Sequence, residues 1–266
     1  MMLARMDEYT IGIPRTRPVP VPTTGVRGRL DLVEHSVDQQ VPAEPLRSMT
    51  AQHGELVYRL VVAVDIENYS RLDTLDQALA QTRLSEILAL AAHRTGLDRD
   101  QWYRQLRGDG ELAVLPADTD AAWVVAEFTE QLSEALSEHI RTNPDEPAVR
   151  LRVAMHHGTL AAGHFGLAGN APVVTCRLLD SKTVRKALAE ETASPLVLVI
   201  SERLYEDVVA SRFHGLLPTR FRPTRVSVKG VAYPGFLCVG TPRAVERALE
   251  TSGVGTGTVH KIREAG

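Results

Sequence analysis

Val57 to Ile66 is an almost unbroken run of aliphatic and β-branched residues, a pattern that predicts a strand buried on both faces. It ends in Asp65-Ile66-Glu67-Asn68-Tyr69-Ser70. Leu72, Leu75, Leu79, Leu84, Ile87, Leu88 and Ala91 then recur as one stripe and predict a helix over 73–95. Residues 102–107 and 111–115 read as two strands about Gly108-Asp109-Gly110, a tight hairpin signal. Val124, Phe128, Leu132, Leu136 and Ile140 recur every fourth residue and predict an amphipathic helix over 119–141. Leu151 to Met155 predicts another buried strand. A helix over 171–190 follows, with Asn170 as its N-cap and Pro172 in its first turn. Leu196 to Ile200 reads as a strand, followed by a short helix to about Ala210 and strands near 224–229 and 234–240. The order from Val57 is βαββαβ and then αβαββ. This predicts an α+β fold, a ferredoxin-like sandwich whose helices lie on one face of the sheet.

Six of the fifteen prolines precede residue 55, and Arg17-Pro18-Val19-Pro20-Val21-Pro22 reads as extended chain. Residues 1–54 are therefore expected to be a poorly ordered leader, 55–240 the folded domain, and 241–266, with Gly253, Gly255 and Gly257, a mobile tail. The formal net charge of −3 argues against a dedicated nucleic-acid binder, whose affinity rests on a basic surface. The longest aliphatic runs hold five residues, against roughly 20 for a membrane span. Cys176 and Cys238 make no disulfide framework, and no apolar segment with a cleavage site opens the chain. A cytoplasmic protein is the expectation.

Asp65 closes a buried strand and Asp109 sits in a hairpin turn. In a ferredoxin-like core that hairpin lies beside the first strand, so both carboxylates can project from one sheet edge. Two hard oxygen ligands with open positions suit Mg²⁺ or Mn²⁺ carrying substrate phosphates. Each aspartate alone also fits a local role, as a strand-end cap or a turn former. His156 and His157 have no cysteine or histidine at zinc-ligand spacing.

Five segments in order and spacing resemble class III nucleotidyl cyclases. Val64 to Ser70 is similar to that family's opening metal motif, and Arg107-Gly108-Asp109-Gly110-Glu111-Leu112 to its second. Leu151 to Gly158 resembles its following strand and turn, Gly169 to Ser181 its catalytic helix, and Lys229-Gly230 its late Lys-Gly. The resemblance covers about 57–240 and implies a class III cyclase-like sandwich. It implies that a nucleoside triphosphate becomes a 3′,5′-cyclic monophosphate and pyrophosphate, with two divalent ions (Mn²⁺ or Mg²⁺) acting together. Asp65, Ile66 through its carbonyl, and Asp109 would hold the metals. Backbone amides around Asn68 to Ser70 would face the triphosphate, with Tyr69 shaping the pocket. Arg177 would meet the transition state and Lys229 the terminal phosphates. In this family the aspartates and the arginine come from different subunits, which implies a homodimer with its sites at the interface.

The departures from the pattern narrow the reading. Val173 stands where the family carries a transition-state asparagine, and valine donates no hydrogen bond. Gln105 replaces the lysine or glutamate that reads a purine, and its second partner falls near Gly166. Gln105 and Arg107 alternate on one strand and so share a face. An amide and a guanidinium can meet the carbonyls of a pyrimidine. Retained metal ligands without purine readers resemble the Pycsar-type pyrimidine cyclases of bacterial antiphage systems, which signal to a separate effector. UTP is the expected substrate and cyclic UMP the product, with CTP or a purine as alternatives. A non-catalytic cyclase-homology module that binds a nucleotide or a partner is the other class of reading, favoured by Val173. An unrelated phosphoryl-transfer enzyme of the same core would share the metal pair but not Arg177.

Overall fold

The strand predicted at Val57–Ile66 is the centre of the molecule. In the computed structural model, which describes residues 55–228 and 230–243, this strand (β1) alternates between two cores. Leu60, Val62, Val64 and Ile66 enter one, and Val61 and Ala63 enter the other. The described residues hold an eight-stranded sheet in the order β2-β3-β1-β4-β6-β8-β7, with β5 paired to β4. The strands are β2 (Tyr103–Arg107), β3 (Gly110–Val114), β4 (Leu151–Gly163), β5 (Gly166–Ala168), β6 (Leu196–Ser201), β7 (Phe221–Val228) and β8 (Val231–Val239). Among the described strands only β4 and β6 pair in parallel. The element order is the predicted one except for β5 and a second helix before β6, and the α+β assignment with a ferredoxin-like core holds.

Helices cover both faces, not one. On the first face lie α1 (Thr74–Arg94) and α2 (Thr129–Thr142). On the second lie α3 (Asn170–Leu179) and α4 (Lys182–Glu190). The physical reason is the composition of β1 itself: a strand apolar on both sides needs both sides covered. A short α5 (Glu202–Asp207) follows β6.

Several boundaries differ from expectation for local reasons. Asp73 caps α1 through the Asp76 amide at 2.9 Å, so the first turn stands clear of the core and Leu75 is 78% exposed. The buried stripe is Ala80, Leu84, Ile87, Leu88, Ala91 and Ala92. Spacing of four drifts about 40° per step around a helix of 3.6 residues per turn. The π-helical turn Val124–Phe128 absorbs part of that drift ahead of α2. The single helix expected over 171–190 is two, because the Ser181 side chain accepts from the Val184 amide at 3.2 Å and starts a new helix. Gly169, not Asn170, occupies the N-cap of α3. β4 runs eight residues past Met155 to Gly163 and turns back as β5, an unpredicted hairpin. β7 and β8 begin earlier than expected and contain Pro223, tolerated because β7 is an edge strand, and Pro234, which lies just beyond the last β6–β8 pair at Gly235.

The leader 1–54, Lys229 and residues 244–266 lie outside the described residues. Arg243, the last one described, bridges Leu216 and pairs with Glu127 and, at 3.1 Å, with Glu130. Among the described residues no helix is long and apolar enough to cross a membrane.

Candidate active site

Strand register brings the two aspartates together. Asp65 lies opposite Gly110 of β3 and Arg152 of β4, and the Ile66 amide donates to the Asp109 carbonyl at 2.8 Å. Gly110 is what permits this approach. A Cβ there would stand 1.9 Å from the Val64 carbonyl oxygen, so any larger residue would push the hairpin off β1. Beyond Ile66 the chain turns through Asn68, at φ 57 in the left-handed region, into a 3₁₀ turn Tyr69–Arg71. Asp65, Ile66, Asn68, Tyr69, Ser70 and Asp109 thereby line one cleft of about 640 Å³. The structure thus brings together five residues singled out from the sequence: Asp65, Ile66, Tyr69, Ser70 and Asp109.

The other wall of the cleft was not foreseen. Arg71, Arg152, Asp180, Arg185 and Lys186 contribute to it. The break between α3 and α4 puts Asp180 at a corner and brings Arg185 and Lys186 to the rim of the cleft. The Ser181 cap was the signal available in the sequence. Arg150 holds this wall to the loop. It donates to Glu67 at 2.7 Å and to the Leu188 carbonyl at 2.8 Å.

Arg152 grips Asp65 with both nitrogens, at 2.7 and 2.8 Å. Both side chains are about nine-tenths buried. Burial pushes the Asp65 carboxyl above its usual range, and Arg152 pulls it back; Asp109 and Asp180 push it up further. Asp180 is itself paired with Arg185 at 3.4 Å. Among the described residues, no three His, Cys, Asp or Glu side chains form a ready-made metal cage. Two carboxylates and a carbonyl in an open cleft instead fit hard cations that keep water and substrate phosphates as remaining ligands.

Gln105, Arg107 and Arg177 lie on the same side of the sheet. Tyr103 packs into the second core, so Gln105 and Arg107, alternating with it on β2, project toward α3. Arg107 Nη2 lies 3.1 Å from Cys176 Sγ. The Gln105 amide rests against Gly166, where a Cβ would come within 3.3 Å of Nε2; Gly166 adopts φ +113, which also favours glycine. Arg177 stands half-buried in the last turn of α3, and Val173, one turn before it, is 46% exposed. Neither Gln105, Arg107 nor Arg177 lines the carboxylate cleft.

The fold matches solved structures. The guanylyl cyclase Cya2 aligns over 73% of this chain and 98% of its own, with a TM-score of 0.53 at 15% identity. The fold is that of a class III nucleotidyl cyclase domain. An adenylate/guanylate cyclase/hydrolase from Silicibacter pomeroyi aligns over 70% of this chain and 98% of its own (TM-score 0.49, 16% identity). The guanylate cyclase domain of RhGC from Catenaria anguillulae, in complex with GTP, aligns over 71% of this chain and 100% of its own (TM-score 0.46, 17% identity). No family profile and no curated protein matches the chain.

Proposed function

We propose that this chain is a nucleotidyl cyclase that converts a nucleoside triphosphate, UTP first among them, into a 3′,5′-cyclic monophosphate and pyrophosphate. The observation that carries the reading is the cleft in which Asp65 and Asp109 meet beneath a turn of backbone amides and a cationic wall. In the reaction the ribose 3′ oxygen loses its proton and bonds to the α-phosphorus, while the bond to pyrophosphate breaks. Asp65, Asp109 and the Ile66 carbonyl would hold two divalent ions, Mn²⁺ or Mg²⁺, which supply Lewis acidity to the attacking and phosphate oxygens. The amides of Tyr69 and Ser70 face the phosphates. Arg152 is the counter-ion of Asp65, and from that place its guanidinium would add positive charge beside the bound phosphates. Arg177, on a half-buried helix face away from the cleft, would serve the site of a second copy, as in a homodimer. Lys229 would meet the terminal phosphates.

Gln105 and Arg107 support a pyrimidine. A guanidinium only donates, so Arg107 favours a base edge rich in carbonyls. Uracil offers two and cytosine one, which ranks UTP above CTP. Cyclic UMP as an antiphage signal to a separate effector follows from the resemblance to Pycsar-type cyclases. Val173 favours a second reading, a nucleotide-binding module without turnover, since no donor stands one turn before Arg177. Purified protein with Mn²⁺ and all four ribonucleoside triphosphates in competition, read by mass spectrometry, tests both. Cyclic UMP as the main product is expected. A preference for ATP or GTP overturns the base assignment, and nucleotide binding without any cyclic product supports the second reading.

A further inference from the structure

One exposed side chain joins the two segments that carry the carboxylates. Gln81 Nε2 donates to Tyr69 Oη at 2.6 Å and to the Gly108 carbonyl at 2.8 Å. Tyr69 belongs to the turn that follows Asp65 and Ile66. Gly108 immediately precedes Asp109 in the β2–β3 hairpin. A primary amide nitrogen has two protons, and here each goes to a different loop. Gln81 is itself firmly based, since its helix neighbours Ala80 and Leu84 are buried in the first core. The turn is also held at its ends, where Gln77 Nε2 donates to the Leu72 carbonyl at 3.0 Å and the Glu67 amide donates to the Arg150 carbonyl at 2.9 Å, but Gln81 joins it to the hairpin. The internal bonds of the turn are Arg71 N to Asn68 O at 2.9 Å and Leu72 N to Tyr69 O at 3.1 Å, and Asn68 sits in the left-handed region. Within the sheet, the Ile66 amide to Asp109 carbonyl bond ties the same two segments from the inside.

We infer that Gln81 is a positioning residue that clamps the Tyr69 turn to the Asp109 hairpin and so fixes the spacing of the two carboxylates that receive the divalent ions. The inference rests on the cyclase reading for its metal and on the two hydrogen bonds for its geometry. Gln81 touches neither carboxylate, and its effect passes through Tyr69 and Gly108. Gln81→Leu keeps the size and neutral charge of the side chain and removes both donors. Tyr69→Phe removes the acceptor of one bond only.

The test has two readouts on the full chain. Amide hydrogen exchange without metal should quicken several-fold at both 68–72 and 108–110 in Gln81→Leu, while α1 remains as protected as in the parent. Mn²⁺ binding, followed by the electron paramagnetic resonance of the free ion, should weaken about tenfold. Tyr69→Phe should weaken it less, and the double variant should be no worse than Gln81→Leu alone, since both act on one bond. Unchanged exchange in either loop overturns the clamp. Faster exchange with Mn²⁺ affinity within about twofold of the parent overturns the positioning role, as does full additivity of the two substitutions. A parent chain that binds no Mn²⁺ removes the metal reading, and the positioning role with it.

Discussion

Asp65 and Asp109 share a proposed role but not an environment. Asp65 is buried and gripped by Arg152, whereas Asp109 is half-buried at a turn. Asp65→Asn removes the charge that Arg152 needs in a buried place, so it should cost roughly 1–3 kcal/mol as well as activity. Asp109→Asn should abolish cyclisation at nearly unchanged stability. Urea unfolding of both variants beside their turnover checks this; equal stability loss in the two would contradict the difference in burial. His156 offers a pH test. Burial, together with the charges of His157 and Arg203, lowers its pKa from 6.5 to about 4. Below pH 6.5 the unfolded chain takes up a proton that the folded chain refuses. The contribution of His156 is thus complete above about pH 6.5 and lost as pH falls toward 4, a span worth about 3 kcal/mol at most. His156→Asn retains a partner for Ser201 Oγ, which lies 2.7 Å from Nδ1. Its thermal midpoint should fall less than that of the parent between pH 7 and pH 5; parallel declines would assign the pH dependence to other groups.

Two elements meet at Gly110, and the tolerance there is small. A methyl group 1.9 Å from the Val64 carbonyl oxygen cannot be accommodated by rotamer changes, because the atom it meets is backbone. Gly110→Ala should force β3 away from β1, break the bond from the Ile66 amide to the Asp109 carbonyl, and cost about 3 kcal/mol. Chemical denaturation measures the cost, and activity at a temperature where the variant remains folded measures the displacement of Asp109. A variant with parental stability would mean that the β1–β3 register differs from the one described. The neighbouring ion pair of Arg99 with Glu111, at 2.9 Å through both nitrogens, braces the other face of the same strand.

At the scale of the molecule, the proposed site is divided. The carboxylate cleft lies at one end of β1, while Arg177 and exposed Val173 lie on α3 and do not line it. Two copies related by a two-fold axis would complete two sites. Asp109→Asn and Arg177→Ala should each be inactive alone. Mixed with free exchange, half the dimers are hybrids, and each hybrid has one intact site of two. Activity should then return to about a quarter of that of the parent. Exchange demonstrated by a size or fluorescence readout with no activity regained would place the whole site within one subunit.

Local patterns on the chain determined the elements and much of the chemistry. The apolar run of β1, the Gly-Asp-Gly turn and the every-fourth-residue stripe of α2 are features of period and turn chemistry, which act over a few residues and so can be read along the sequence. Asp65 and Asp109 were legible for the same reason, because each sits at a strand end or turn next to such a pattern, whereas Ile66, Tyr69 and Ser70 were singled out only by the resemblance to class III cyclases. What neighbours them was not. Arg152 reaches Asp65 across 87 positions, and nothing in either segment names the other until β1 and β4 are in register. Gln81 is one polar residue among many on an exposed helix face; only the packing of α1 sets it over both loops. The second helical layer and the place of Arg185 and Lys186 at the cleft rim likewise depend on where α3 stops and on which sheet face α4 must cover. Sequence carried the periodicities and the reactive groups. Tertiary structure decided their partners, because register and packing join residues whose separation along the chain carries no local signal.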